Sequence, residues 1–488
     1  MMRKKVCLLL IVAVLLIATL GVLYACGEDY DVDPIKPSGD KNAPVESNGG
    51  LVVKQGGYLY FVNGYTGYLT SKGDDNAFGK VRKGAIVRVT YNEDGTLGTD
   101  YKVIVPKSVM ASSANLGFSI YGNYIYYVSP CKDEDRSGKV QTNILEFFRT
   151  KLDGTGTQKI LSWNSNSVSY KYTPEALVYY DSANGKIYSK TFKNKKDGFD
   201  PESKGNCIAS GVQSVHFIKN ESYDPAVGVT VADYIIYTKG SDSTGENTLC
   251  ITDPHGSVTK TPIVPGTFQS EDYRYSVSVV ASAVENGKLA IYYTKTEYVG
   301  TATSGSAIGT YAYQFEDTEF TFNVNKEKMI TANALSSVYP LGYTEGVVAT
   351  TSNAVLYYMN GAAPVLYNSL DLSNLITIQA SETLGKTAFY YLSSNKLLYY
   401  AVDDTENAHY AYTTDETFMS GFIDAEYFDG YFYFILDDDY DYMARIKLED
   451  INIRVNDSVE IERVALFTSA DQKAFDEAKA EAEEEAND

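Results

Sequence analysis

A short aromatic phrase returns along this chain at long intervals. It reads Tyr58-Leu59-Tyr60-Phe61-Val62, then Tyr124-Ile125-Tyr126-Tyr127-Val128, then Leu177-Val178-Tyr179-Tyr180. It comes back at Tyr234-Ile235-Ile236-Tyr237, Leu289-Ala290-Ile291-Tyr292-Tyr293, Val355-Leu356-Tyr357-Tyr358, Ala388-Phe389-Tyr390-Tyr391 and Tyr431-Phe432-Tyr433-Phe434. A phrase repeated this way means one structural unit used many times, which constrains architecture more than any single motif. Counting from Tyr60 to Tyr433, the units recur about every 53 residues, close to a four-stranded propeller blade with modest loops. The steps run from 33 residues (Tyr357 to Tyr390) to 66 (Tyr60 to Tyr126). Such unevenness argues against a stacked solenoid and suits radial sheets whose loops vary freely.

The phrase reads as strand, because Tyr, Phe, Ile and Val fit a pleated, half-buried surface. Turn residues stand before it, as at Gly56-Gly57, Gly122-Asn123, Asn286-Gly287 and Asp429-Gly430. A second strand often follows, as in Gly185-Lys186-Ile187-Tyr188, so the recurring unit is a hairpin. Another element belongs to the same unit. Phe147-Phe148-Arg149-Thr150-Lys151-Leu152 runs into an Asp153-Gly154-Thr155 turn, with fainter copies at Asp94-Gly95-Thr96 and His255-Gly256-Ser257.

On these residues the chain resembles the tyrosine-rich β-propellers of bacterial secreted proteins. That domain of unknown function is similar to the propellers of low-density-lipoprotein-receptor relatives and, more distantly, to TolB-type propellers. Asn48-Gly49-Gly50 through Asn63 carries the resemblance best, and it extends over residues 48–468. It implies an all-β propeller with seven or eight four-stranded blades and a binding or scaffold role. It brings no catalytic residues. Ring closure is expected from Leu51-Val52-Val53 lying beside Ile461-Glu462-Arg463-Val464, which would also protect sheet edges.

The N-terminus is read as export machinery. Arg3, Lys4 and Lys5 precede an apolar run from Val6 to Leu23, and Leu23-Tyr24-Ala25-Cys26 resembles a bacterial lipobox. The resemblance implies a signal peptide over 1–25 and lipidation of Cys26; the alternative is an uncleaved membrane helix. Both put the chain outside the cytoplasm, with the positive residues inside. The expected location is the outer face of the cytoplasmic membrane of a Gram-positive cell. Residues 26–50, polar with Pro34, Pro37 and Pro44, read as a disordered tether before a propeller over 51–468. Residues 469–488 read as a short acidic helix with Ala474, Phe475 and Ala478 on one stripe. Thr301–Gly309 reads as a flexible loop.

Net charge is −21, and loss of residues 1–25 would take three positive charges with it, leaving −24. Such a surface repels nucleic acid and anionic headgroups, so the expected membrane contact is the N-terminal lipid alone. Cys131, Cys207 and Cys250 fall in separate units and read as buried small hydrophobes, with one disulfide left open.

Catalytic signals are sparse. His216, His255 and His409 are far apart, and no Gly-x-Ser-x-Gly elbow or phosphate-binding glycine loop occurs. The single Trp163 excludes the repeated tryptophans of quinoprotein propellers and sialidases. Asp29, Asp31 and Asp33 alternate as in a calcium loop, but Pro34 stands where that loop needs glycine. Asp437, Asp438, Asp439 and Asp441 read as a solvated acidic turn, with Ca2+ chelation the alternative, and no cofactor is expected. Of 43 tyrosines, those on loops (Tyr65, Tyr68, Tyr298 and Tyr440) are the candidates for ligand contact. The functional expectation is a non-enzymatic binding or scaffold protein for a protein or cell-wall glycan. Its alternatives are a polysaccharide-active enzyme with carboxylates at the central funnel, or an accessory or sensor lipoprotein of an export or signalling complex.

Overall fold

The computed structural model describes residues 39–64, 77–78, 81–82, 84–107, 117–130, 144–164, 168–193, 198–219, 221–240, 245–268, 272–350, 355–358, 363–366, 377–383, 386–393, 396–401, 409–413, 422–436, 443–447 and 462–465. Between 377 and 427 the description is of backbone only. Helix among these residues is limited to two three-residue 3-10 turns, at Val231–Asp233 and Val324–Lys326. The rest is antiparallel sheet. Eight sheets each take four strands in chain order, and a separate two-residue hairpin lies between strands of the first. Their first strands are Val52–Gln55, Phe118–Tyr121, Ser169–Tyr172, Val212–Phe217, Tyr273–Glu285, Ser337–Gly342, Thr377–Thr383 and Phe422–Phe428. First strands approach one another between sheets one and two and from sheet three through sheet eight, so these sheets share an inner side.

The doubled tyrosines are explained by what lies on each side. Successive side chains of a strand point to opposite faces. In sheet two, Ile125 and Tyr127 join a cluster with sheet one, while Tyr126 and Val128 join one with sheet three. Sheet three repeats the pattern, with Leu177 and Tyr179 facing back and Ala176 and Val178 facing sheet four. In sheet five, Leu289, Ile291 and Tyr293 pack on sheet four and Ala290 and Tyr292 on sheet six. The second strands of sheets two, three and five are therefore buried on both faces, and each full aromatic burial contributes about 2–3 kcal/mol. The last sheet packs on the first: Phe428, Tyr431, Tyr433, Ile435, Met443 and Val464 share a cluster with Val52, Leu59 and Phe61.

Four expectations need correction. The phrase at Val355–Tyr358 is the third strand of sheet six, not the second; Gly346–Thr350 is the second. Counting Val348 instead turns the steps of 65 and 33 residues into 56 and 42. The Gly346–Thr350 strand, GVVAT, escaped notice because it carries no aromatic. Val52–Gln55 does not pair with Glu462–Arg463, which pairs with Met443–Lys447. Each end sheet has its own four strands, and among the described residues the two meet through side chains. Residues 39–50 are not all tether: Val45–Glu46 is a strand beside Val52–Gln55, and Asn48 is buried. Its amide oxygen accepts from Ile120 N at 2.7 Å and its Nδ2 donates to Ile120 O at 3.3 Å, so polarity there signals a docked segment. Finally, Ser306–Gly309 opens the third strand of sheet five, where small residues fit a register shift; only the stretch before it turns.

The Asp-Gly turns join third and fourth strands. Asp153 Oδ1 accepts from Thr155 N at 2.9 Å, and Asp94 Oδ1 accepts from Thr96 N at 3.0 Å. Gly95 and Gly154 hold φ near +80°, a region that favours glycine.

Candidate functional site

The first sheet has six strands, because two short ones extend it on the inner side. Val45–Glu46 pairs with Val52–Gln55, and Ser222–Tyr223 pairs with Val45–Glu46. Ser222–Tyr223 belongs to the segment Ile218–Tyr234, which joins the first two strands of sheet four. That segment therefore leaves sheet four and reaches the inner edge of sheet one. It crosses the region on which the first strands converge.

Contacts from sheets one, two and three hold it, and an internal bond closes its far end. Lys171, on the first strand of sheet three, donates from Nζ to Ile218 O at 2.6 Å and also to Ala232 O, pinching the neck of the segment. Tyr223 meets Tyr121 of sheet two edge-on at 5.1 Å. Asn48 N donates to Glu221 O at 2.9 Å. Thr230 N donates to Asp233 Oδ2 at 2.8 Å, which closes the turn at the far end. Burial lowers the Lys171 ammonium to about 8, and the nearby Asp233 carboxylate opposes that shift.

Beside this segment lies a cavity of about 1180 Å3. Its other walls are the first strands of sheets four, five and six, through His216 and Phe217, Val280–Val284, and Val338–Pro340. Glu221, Asp224, Val227 and Val229 face it from the crossing segment. Val227 is 66% exposed, so the segment presents apolar surface that nothing among the described residues covers.

The polar pair in the wall is His216 and Ser282, Nε2 to Oγ at 2.9 Å. The distance is that of a nucleophile and its base. The electrostatics are not. Burial and then the Lys171 charge lower the imidazole to about 4, so both oppose the imidazolium that a general base must become. The pair is a neutral hydrogen-bonding element. Glu221 and Asp224 are solvent-exposed; Glu221 pairs with Lys219, and Asp224 Oδ1 accepts from Ala226 N at 2.8 Å. They lack the contrasting environments that set a catalytic acid apart from its partner carboxylate.

His216 is the cavity residue that the sequence shows only as one of three scattered histidines. No local signal marks it, because its neighbours come from other sheets. Tyr298 lies at the far end of the long hairpin Tyr273–Val299, away from the cavity. Its ring sits 5.6 Å under the Arg274 guanidinium and its hydroxyl 3.4 Å from Ser276 Oγ. Tyr65, Tyr68, Tyr440, Asp437, Asp439, Asp441, Cys26, Cys131 and residues 469–488 lie outside the described residues. Cys207 is exposed, not buried, because it sits on an outer strand; Cys250 is buried, and both are free thiols. Among the described residues no three His, Cys, Asp or Glu side chains group as a metal site.

No family model and no curated protein matches the chain. Solved structures do. The β-propeller domain of the Trilobed protease from Pyrococcus furiosus, described as having an open velcro topology, is 10% identical, covering 72% of this chain and 98% of its own, with a TM-score of 0.35. Polysaccharide lyase Uly1 is 10% identical over 74% of this chain and 92% of its own, TM-score 0.40. Apo AztD from Citrobacter koseri is 8% identical over 84% and 96%, TM-score 0.38. Scores of this size assign neither family nor activity.

Proposed function

We propose that this chain is an eight-bladed, non-enzymatic binding propeller whose ligand enters the cavity beside the crossing segment. The observation that carries the reading is the cavity itself: about 1180 Å3, walled by three inner strands and an insertion, its apolar faces mixed with the neutral His216–Ser282 pair and with Lys219, Glu221 and Asp224 of the crossing segment. That mixture is what an orienting ligand site needs. Phe217, Tyr234 and Tyr339 supply flat apolar faces, and His216 with Ser282 supplies neutral hydrogen bonds. Sugar rings or an extended peptide suit this chemistry. The ligand is therefore a cell-wall glycan fragment or a protein segment. The export reading of residues 1–26 goes with it: lipidation at Cys26 would keep the propeller on the outer face of the cytoplasmic membrane.

The test is calorimetric titration with cell-wall glycan fragments and with extended peptides, on the parent and on Ser282→Leu. Ser282→Leu narrows the cavity and removes the hydroxyl, so at least tenfold weaker binding is expected. Equal affinity in the two proteins rejects the cavity as the site. Anchoring is tested separately: labelling of cells with a tagged fatty acid should mark the parent protein and not Cys26→Ala.

A further inference from the structure

Val45–Asn48 does more than widen sheet one. Val45 stands opposite Tyr223 and Glu46 opposite Ser222, and Asn48 N donates to Glu221 O at 2.9 Å. Glu221, Ser222 and Asp224 are themselves cavity wall. The N-terminal segment thus holds one wall of the cavity directly. Its other side is tied to sheets one and two, through Gln55 and Lys54 opposite Val45 and Glu46, and through Asn48 to Ile120.

We propose that Val45–Asn48 is a latch that sets the position of this wall, so that the way the N-terminus is held is coupled to cavity access. The inference rests on the binding reading only for its consequence, not for its geometry. Two opposed residue pairs and one further hydrogen bond make a small docking surface, of the size that opens locally without unfolding the rest. The neck at Lys171 stays closed when the latch releases, because Ile218 and Ala232 are held from sheet three. The segment between then swings on a fixed base. Coupling of this kind is reciprocal, so a ligand that prefers one wall position also shifts the latch.

The experiment uses the full chain carrying Cys207→Ser, with Glu46→Cys and Ser222→Cys added. These two positions face each other on paired strands, a placement that suits a disulfide. Hydrogen exchange of residues 224–231 is followed by mass spectrometry in the oxidised and reduced states of one preparation. Oxidation should slow that exchange at least tenfold, and reduction should restore it. In the parent background, Asn48→Ala should speed it at least tenfold while Asn247–Thr252 of sheet four is unchanged. Equal exchange of 224–231 in both redox states overturns the latch. Acceleration by Asn48→Ala that reaches Asn247–Thr252 equally also overturns it, leaving the segment a general contributor to stability. No ligand enters the measurement, so its failure is separate from failure of the glycan and peptide titrations.

Discussion

Lys171 Nζ donates to Ile218 O at 2.6 Å, and this bond ties sheet three to the neck of the segment that crosses between the sheets. The ammonium is buried with Asp233 beside it. Lys171→Met removes the charge, leaves both carbonyls unpaired and leaves Asp233 without its opposing charge. Destabilisation of about 3 kcal/mol is expected, read by urea unfolding at pH 7. The pH dependence has a definite sign. The folded-state value near 8 is below the unfolded value, so between pH 8 and about 10.4 the unfolded chain holds more protons. Stability of the parent relative to Lys171→Met should therefore rise as pH increases through that window. A flat difference rejects the buried-ammonium account.

His216 gives an acid-side counterpart. Its folded-state value is about 4, held down by burial and by Lys171, against about 6.5 unfolded. Between those values the unfolded chain binds more protons, so stability falls as pH drops from 6.5 to 4. His216→Gln keeps a neutral partner for Ser282 and does not titrate. The variant should lose less stability over that range, by up to about 3 kcal/mol, in parallel urea titrations. Parent and variant curves that run parallel would reject the assignment.

What the sequence disclosed follows from which interactions are local. Tyr126-Tyr127 and Tyr292-Tyr293 announce strands buried on both faces, because alternation writes itself into adjacent residues. The Asp153-Gly154-Thr155 turn is equally local, its bonds spanning two residues. Sheet six was misregistered because Val347 and Val348 do the burying that tyrosines do elsewhere. The cavity was illegible for a different reason. His216 meets Ser282 across 66 positions and Lys171 meets Ala232 across 61, and no periodicity records such pairs. Asn48 looked like tether because its partners, Ile120 and Glu221, are backbone groups of other sheets.

A repeated cation-on-tyrosine ladder should be energetically uniform. Arg88, Arg149 and Arg445 on third strands stand opposite Tyr60, Tyr126 and Tyr433 on second strands. Their guanidiniums lie 4.0, 4.3 and 3.9 Å from the rings of Tyr58, Tyr124 and Tyr431. Arg445 also donates to Tyr433 Oη at 3.2 Å and to Glu462 Oε2 at 2.7 Å. Arg445→Met should cost about 2–4 kcal/mol, and Arg445→Lys should recover little, since an ammonium cannot fill the fork and stack together. The contrast is measured by thermal unfolding of both variants. Full recovery by lysine would reduce the ladder to simple charge.

Closure of the last sheet on the first has its own polar contact. Tyr91 Oη donates to Asp429 Oδ2 at 2.9 Å, and Lys54 Nζ lies 3.3 Å from the same oxygen. Asp429 also holds a φ of +48° at the turn before Tyr431, a conformation that Asp and Asn tolerate better than most residues. The two roles separate by substitution. Asp429→Asn keeps the turn and an acceptor while losing the charge. The Asp429 side chain is 43% exposed, so the charge itself is worth at most about 1 kcal/mol. Asp429→Ala loses the acceptor and strains the turn, which adds about 1 kcal/mol more. Urea unfolding should rank the parent above Asp429→Asn and Asp429→Ala lowest. High salt should shrink the first gap and leave the second, because screening acts on the ion pair and not on backbone strain. If Asp429→Ala matches Asp429→Asn, the turn carries no strain and the neutral acceptor adds nothing to the contact between first and last sheets.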